Sequence, residues 1–164
     1  MRDRLVAESE AWRWPPRSRL VGAAKLHLTL HFIGGFARDR LDALATALAG
    51  LQTEPTALVA TRREIWRGGI AVLLFAAGPE LAVLHEAIGG VVAAFGVPLD
   101  PRPFAPHVTL ARAARGAAPP LRAADVAWDA RGFALVASAP GGNYRVLRSF
   151  AGAGHDRSPG EPVR

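Results

Sequence analysis

Lys25-Leu26-His27-Leu28-Thr29-Leu30-His31-Phe32-Ile33-Gly34 reads as a β-strand, and its centre returns 80 residues later as His107-Val108-Thr109-Leu110. In the first copy the hydrophobic period is two. Leu26, Leu28, Leu30 and Phe32 point one way, and Lys25, His27, Thr29 and His31 point the other. Gly34-Gly35 ends the strand. The second copy follows a proline-rich stretch, 97–106, and runs from His107 to about Arg112. Each copy thus carries one imidazole and one hydroxyl on one face and aliphatic side chains on the other. A repeat at half the chain length suggests two similar lobes related by a rough twofold, with both motif strands near the middle.

The rest of the chain fits around these two strands. A helical pattern runs from Asp3 to about Trp14 and stops at Pro15-Pro16, and residues 17–24 form a connection. A second helix is expected from Asp39 to Leu51, with Leu41, Leu44, Ala45 and Leu48 at helical spacing. Residues 56–66 and 69–76 read as a hairpin around Arg67-Gly68-Gly69. Pro79 opens a third helix that runs to about Phe95, and Gly96 ends it. Strands near 124–138 and 143–149 close the fold, joined through Ala139-Pro140-Gly141-Gly142-Asn143. No linker divides the chain, so 1–152 reads as one bilobal domain. The polar, Gly- and Pro-containing residues 153–164 read as a disordered tail.

Composition narrows the chemistry. The 164 residues are 50% hydrophobic and 21% charged, a globular balance. The absence of cysteine excludes disulfides, thiolate metal ligation and a thiol nucleophile. The net charge is +6, and Lys25 is the only lysine. The positive charge is therefore almost all arginine, whose planar fork matches phosphate, although arginine also serves simply to solvate a surface. No apolar run has membrane-spanning length, and Met1-Arg2-Asp3-Arg4 does not begin a secretory signal. A cytoplasmic monomer is expected.

A single His-x-Thr on a strand is most simply a structural hydrogen-bonding pair. Two copies facing one cleft are different. They converge two imidazoles, and histidine is the side chain whose ordinary range lets one ring hold a proton while another is free to take one. One can take a proton from water while the other gives one to a departing oxygen. The threonine hydroxyls can donate to phosphoryl oxygens. Such a set hydrolyses a phosphodiester with no metal or other cofactor.

At this point the segment from Lys25 to Gly34, together with Pro103-Phe104-Ala105-Pro106-His107-Val108-Thr109-Leu110-Ala111-Arg112, resembles the paired signatures of the two-histidine (2H) phosphoesterases. The match is best to their RNA 2′,3′-cyclic phosphodiesterases, also called 2′-5′ RNA ligases. Gly141-Gly142-Asn143-Tyr144-Arg145-Val146-Leu147 is similar to that family's closing strand, so the resemblance covers about residues 3–150. It implies an α+β fold with two antiparallel-rich sheets flanking a V-shaped cleft and helices outside. It also implies hydrolysis of RNA or nucleotide 2′,3′-cyclic phosphates to 2′-phosphates. By that analogy His27 is the acid and His107 the base, though a pseudo-symmetric site runs in either direction. Thr29 and Thr109 would hold phosphoryl oxygens. Arg112 matches a family arginine five residues after the second histidine, and by the same analogy would neutralise phosphate. Strict alternation puts it opposite His107, so it reaches the cleft only if the strand ends or bulges first. The alternatives are a non-catalytic RNA- or nucleotide-binding module using the same cleft, and RNA 2′-5′ end joining.

Four further residues are candidate cleft members. His31 and Lys25 share the His27 face of the strand. Phe104 either stacks on a base or packs in the core. Tyr144 reaches the cleft from the closing strand or packs at its rim. The sequence departs from the family at its start, where an apolar strand normally precedes the first helix. That strand is expected to be missing here.

Overall fold

The computed structural model describes residues 1–121, 125–139 and 143–152. The expected tail and residues 140–142 of the last turn lie outside this range. The first helix, α1 (Arg2–Glu10), is followed by a two-residue strand, β1 (Arg19–Leu20), then α2 (Leu41–Ala49). Next come β2 (Thr56–Trp66), β3 (Ile70–Ala77), α3 (Pro79–Ala94) and β4 (His107–Arg112). β5 (Ala127–Ala130), β6 (Gly132–Ser138) and β7 (Tyr144–Ala151) complete the chain.

These elements form two layers of core. A five-stranded antiparallel sheet in the order β1-β4-β3-β2-β5 carries the first. Leu58, Ala71, Leu73, Phe75, Val108 and Leu110 project from one face of it onto Leu5 and Trp12 of the N-terminal segment. The helix α1 is pinned there by a buried ion pair. Glu8, 2% exposed, accepts hydrogen bonds from Arg63 Nε and Nη2 at 2.5 and 2.7 Å, and from Trp12 Nε1 at 3.0 Å. The second core lies between the β6–β7 hairpin and the helices α2 and α3, with Leu44, Leu48, Ile88, Val92, Leu135 and Phe150 at its centre.

Local chemistry sets the element ends. Pro79 occupies the first turn of α3, where its missing N–H costs nothing, and Gly96 follows the helix at φ 80°. The β2–β3 hairpin turns through Gly68 (φ 86°) and Gly69 (φ 74°). At Gly69 a Cβ would lie 3.1 Å from the Ala114 amide nitrogen, so both the backbone angle and the space call for glycine.

The hairpin, α3 and β4 stand where the sequence places them, while the expected strand 25–33 does not form. Residues 23–25 are a 3₁₀ turn, and Leu28 makes one isolated antiparallel bridge to Val108. The cause is competition for the open edge of β4. Arg19 and Leu20 pair with Arg112 and Ala111, and the Val21 amide donates to the Leu110 carbonyl. Only the start of β4 is left for the motif segment. Leu26, Leu28 and Leu30 still pack on the core as alternation predicts. Phe32 does not: it is 83% exposed, because the chain bends at Leu30 and sends Ile33 into the second core instead. The expected single strand over 124–138 is two strands, which pair with different partners. No helix among the described residues is long and apolar enough to cross a membrane.

Candidate active site

The Leu28–Val108 bridge is antiparallel. It sets His27 across from Thr109 and Thr29 across from His107. Leu28 and Val108 point into the core, so the two histidines and two threonines project from the opposite face. Diagonal neighbours in such a pairing lie roughly 7–8 Å apart at Cα, which lets one phosphoryl group lie between the two rings.

Both rings are held in the same way. His27 Nδ1 lies 2.6 Å from the Lys25 carbonyl oxygen, and His107 Nδ1 lies 2.8 Å from the Ala105 carbonyl oxygen. A carbonyl only accepts, so each Nδ1 carries a proton and each neutral ring presents a bare Nε2. The same carbonyl stabilises the imidazolium when Nε2 takes a proton. Each ring also has one aromatic neighbour. Tyr144 meets His27 edge-on at 4.8 Å between centroids, and Trp66 meets His107 at 4.4 Å. Trp66 is itself fixed by its Nε1 donating to Glu64 at 2.8 Å. His107 is half-buried and His27 exposed.

The strand β4 bulges within the motif. Val72 pairs with Thr109 and the preceding Ala71 with Ala111, which leaves Leu110 as the extra residue. Val108, Leu110 and Ala111 all enter the core. Arg112 therefore returns to the face of His107 and Thr109, the condition alternation alone does not meet. Sheet register puts Arg62, Glu64 and Trp66 on that same face.

The remaining candidates divide. Tyr144 is at the site through its contact with His27. Lys25 lies in the 3₁₀ turn rather than on a strand, so the alternation that shared its side chain with His27 does not apply; its carbonyl is what holds the ring. His31 is packed on α3, where its Nε2 donates to the His85 carbonyl at 2.7 Å. Its ring stacks on His85 at 4.0 Å, and His85 stacks on Phe104 at 3.9 Å. Phe104 also packs against the first core. Burial pushes His85 below the ordinary imidazole range, the neighbouring His31 adds to this, and the Leu30 carbonyl opposes it. Sequence reasoning gave no role to His85, whose ring completes this column. It also missed Trp66. The polar alternation Arg62, Glu64, Trp66 was the available signal, but its facing depends on the register with β3. Among the described residues no three His, Asp or Glu side chains gather as a metal site.

Sequence comparisons with family models and with curated proteins return no match. Solved structures do match along nearly the whole chain. TT0787 of Thermus thermophilus is 32% identical, covers 92% of this chain and 90% of its own, and superposes with a TM-score of 0.67. A phosphoesterase is 27% identical over 92% of this chain and 90% of its own, at a TM-score of 0.79. LigT of E. coli, complexed with 3′-AMP, is 25% identical over 93% and 91%, at a TM-score of 0.82. LigT has also been solved with NADP+ and with ATP. The fold and the paired motifs define a phosphoesterase. The chain belongs to the 2H phosphoesterases, in the family of LigT.

Proposed function

We propose that this protein hydrolyses 2′,3′-cyclic phosphates at RNA ends or on nucleotides, leaving a 2′-phosphate. The observation that carries the reading is the matched anchoring of His27 and His107, each by Nδ1 on the carbonyl two residues before it. The bare Nε2 of His107 takes a proton from water as the water oxygen attacks phosphorus. The protonated Nε2 of His27 gives its proton to O3′ as the P–O3′ bond breaks. The products are a 3′-hydroxyl and a 2′-phosphate, and one proton has moved in at one side and out at the other. Thr29 and Thr109 donate to the non-bridging oxygens, whose charge rises in the transition state. Tyr144 and Trp66 hold the two rings laterally, and a matched geometry of this kind favours positioned proton transfer. The nucleotide complexes of LigT support nucleotides as the ligand class.

The test is incubation of the purified protein with 2′,3′-cyclic AMP, and with an RNA ending in a cyclic phosphate, in the presence of EDTA. The expected result is a 2′-phosphate, read by phosphorus NMR. A 3′-phosphate product would reverse the leaving oxygen. Binding of 3′-AMP without turnover of either cyclic phosphate would leave a binding module.

A further inference from the structure

Arg19 and Arg112 are direct cross-strand partners in the β1–β4 pair. Direct partners project to the same side, and the bulge at Leu110 makes that the side of His107 and Thr109. Like charges placed opposite one another destabilise a sheet. Here no carboxylate among the described residues offsets the repulsion. Arg62, Arg63 and Arg102 each meet a carboxylate, whereas neither Arg19 nor Arg112 has one within ion-pair distance among the described residues. Both side chains are exposed. Two unneutralised guanidinium forks thus stand on the open edge of the sheet, beside the catalytic face.

We infer that Arg19 and Arg112 together form a second phosphate subsite, which takes the phosphate on the 5′ oxygen of the nucleoside whose 3′ end lies between the histidines. Arg112 is three residues beyond Thr109, the residue opposite His27. That is at most about 10 Å along the strand, less the bulge, and the long side chains shorten it further. One nucleotide unit spans this separation. Two arginines can then bind one phosphate bidentately, and the anion relieves their mutual repulsion. The inference rests on the proposed placement of the 3′ phosphate between the histidines. It adds that the substrate carries a second phosphate, either as a free 5′-phosphate or as the linkage to a preceding nucleotide. Arg19 is outside both motifs, and only sheet register brings it to the site.

Binding of product-like ligands tests this without requiring turnover. Calorimetry would compare 3′-AMP, adenosine 3′,5′-bisphosphate and the dinucleotide ApAp. The expected result is binding of the bisphosphate, the dinucleotide or both about tenfold more tightly than 3′-AMP at low salt, a gain that shrinks as salt screens it. Tighter binding of the bisphosphate alone identifies a free 5′-phosphate, and tighter binding of the dinucleotide a linkage within RNA. Arg19→Gln should abolish the preference, Arg19→Lys should keep part of it, and Arg38→Gln, at an exposed arginine ahead of α2, should leave it intact. Circular dichroism melting would confirm that each variant is folded. Equal affinities in the native protein, or a preference that survives Arg19→Gln, overturn the inference. Failure of all three ligands to bind overturns the phosphate cleft itself, and hydrolysis failing while the preference stands overturns only the proposed reaction.

Discussion

Leu28 stands directly opposite Val108, and this single antiparallel bridge is the centre of the pseudo-twofold that relates the two motifs. Each histidine lies across from the other motif's threonine because of it. The two aliphatic side chains anchor the pairing in the core, while the four polar side chains are left on the open face.

On the proposed mechanism both imidazoles act on one transition state, so His27→Ala and His107→Ala should each lower kcat about 10²–10⁴-fold on a cyclic phosphate. The double variant should be little worse than the poorer single one. Steady-state kinetics on the four proteins checks this. Multiplicative losses would mean that the rings serve separate steps.

Salt dependence separates substrate classes. RNA ending in a cyclic phosphate should bind with a log–log salt slope of roughly −0.7 for each phosphate contacted. A nucleoside cyclic phosphate, with one phosphate, should show a much shallower slope. Titrations from about 50 to about 200 mM salt span the range in which such slopes are measured.

Glu8 is enclosed with Arg63 and Trp12 between α1 and β2. Glu8→Ala leaves a guanidinium largely out of water with no counter-charge, and should cost about 3–5 kcal/mol. Replacing both members, as in Glu8→Leu with Arg63→Met, should recover much of that loss. Chemical denaturation of the three proteins gives the comparison.

The half-buried His85 sets a pH dependence of stability. Its folded value lies below the ordinary 6.5, so the unfolded chain binds its proton more readily. By linkage, the contribution is full above pH 6.5 and is lost as pH falls through the folded value. The groups around the ring are His31, Phe104 and the Leu30 carbonyl, none of them a carboxylate. Melting temperature should therefore fall on acidification from about pH 7 to about 5. His85→Phe should flatten that fall, and an unchanged slope would place the titrating group elsewhere.

Much of the candidate site is legible in the repeat itself. His27, Thr29, His107 and Thr109 are nominated by spacing and alternation, and the β2–β3 hairpin and α3 are read from turn residues and Pro79. What escapes depends on pairing rather than on local pattern. Arg112 reaches the face of His107 and Thr109 through an extra residue at Leu110, which no periodicity announces. Arg19 is positioned by register with β4, far away in sequence, and the facing of Trp66 follows from the register of β2 with β3 and of β3 with β4. The segment 25–33 has the hydrophobic pattern of a strand but shares the edge of β4 with residues 19–21, so propensity yields to available partners.

The column of His31, His85 and Phe104 joins residues just after the first motif and just before the second through one ring of α3. A Cβ at Gly89, one turn along that helix, would lie 3.2 Å from the His31 ring. The spacing between the two histidine motifs is thereby gauged by a helix that carries neither of them. In a random mutagenesis screen for lost turnover, inactive clones should accumulate at positions 85 and 89 as well as in the motifs, and some of those clones should still melt like the parent.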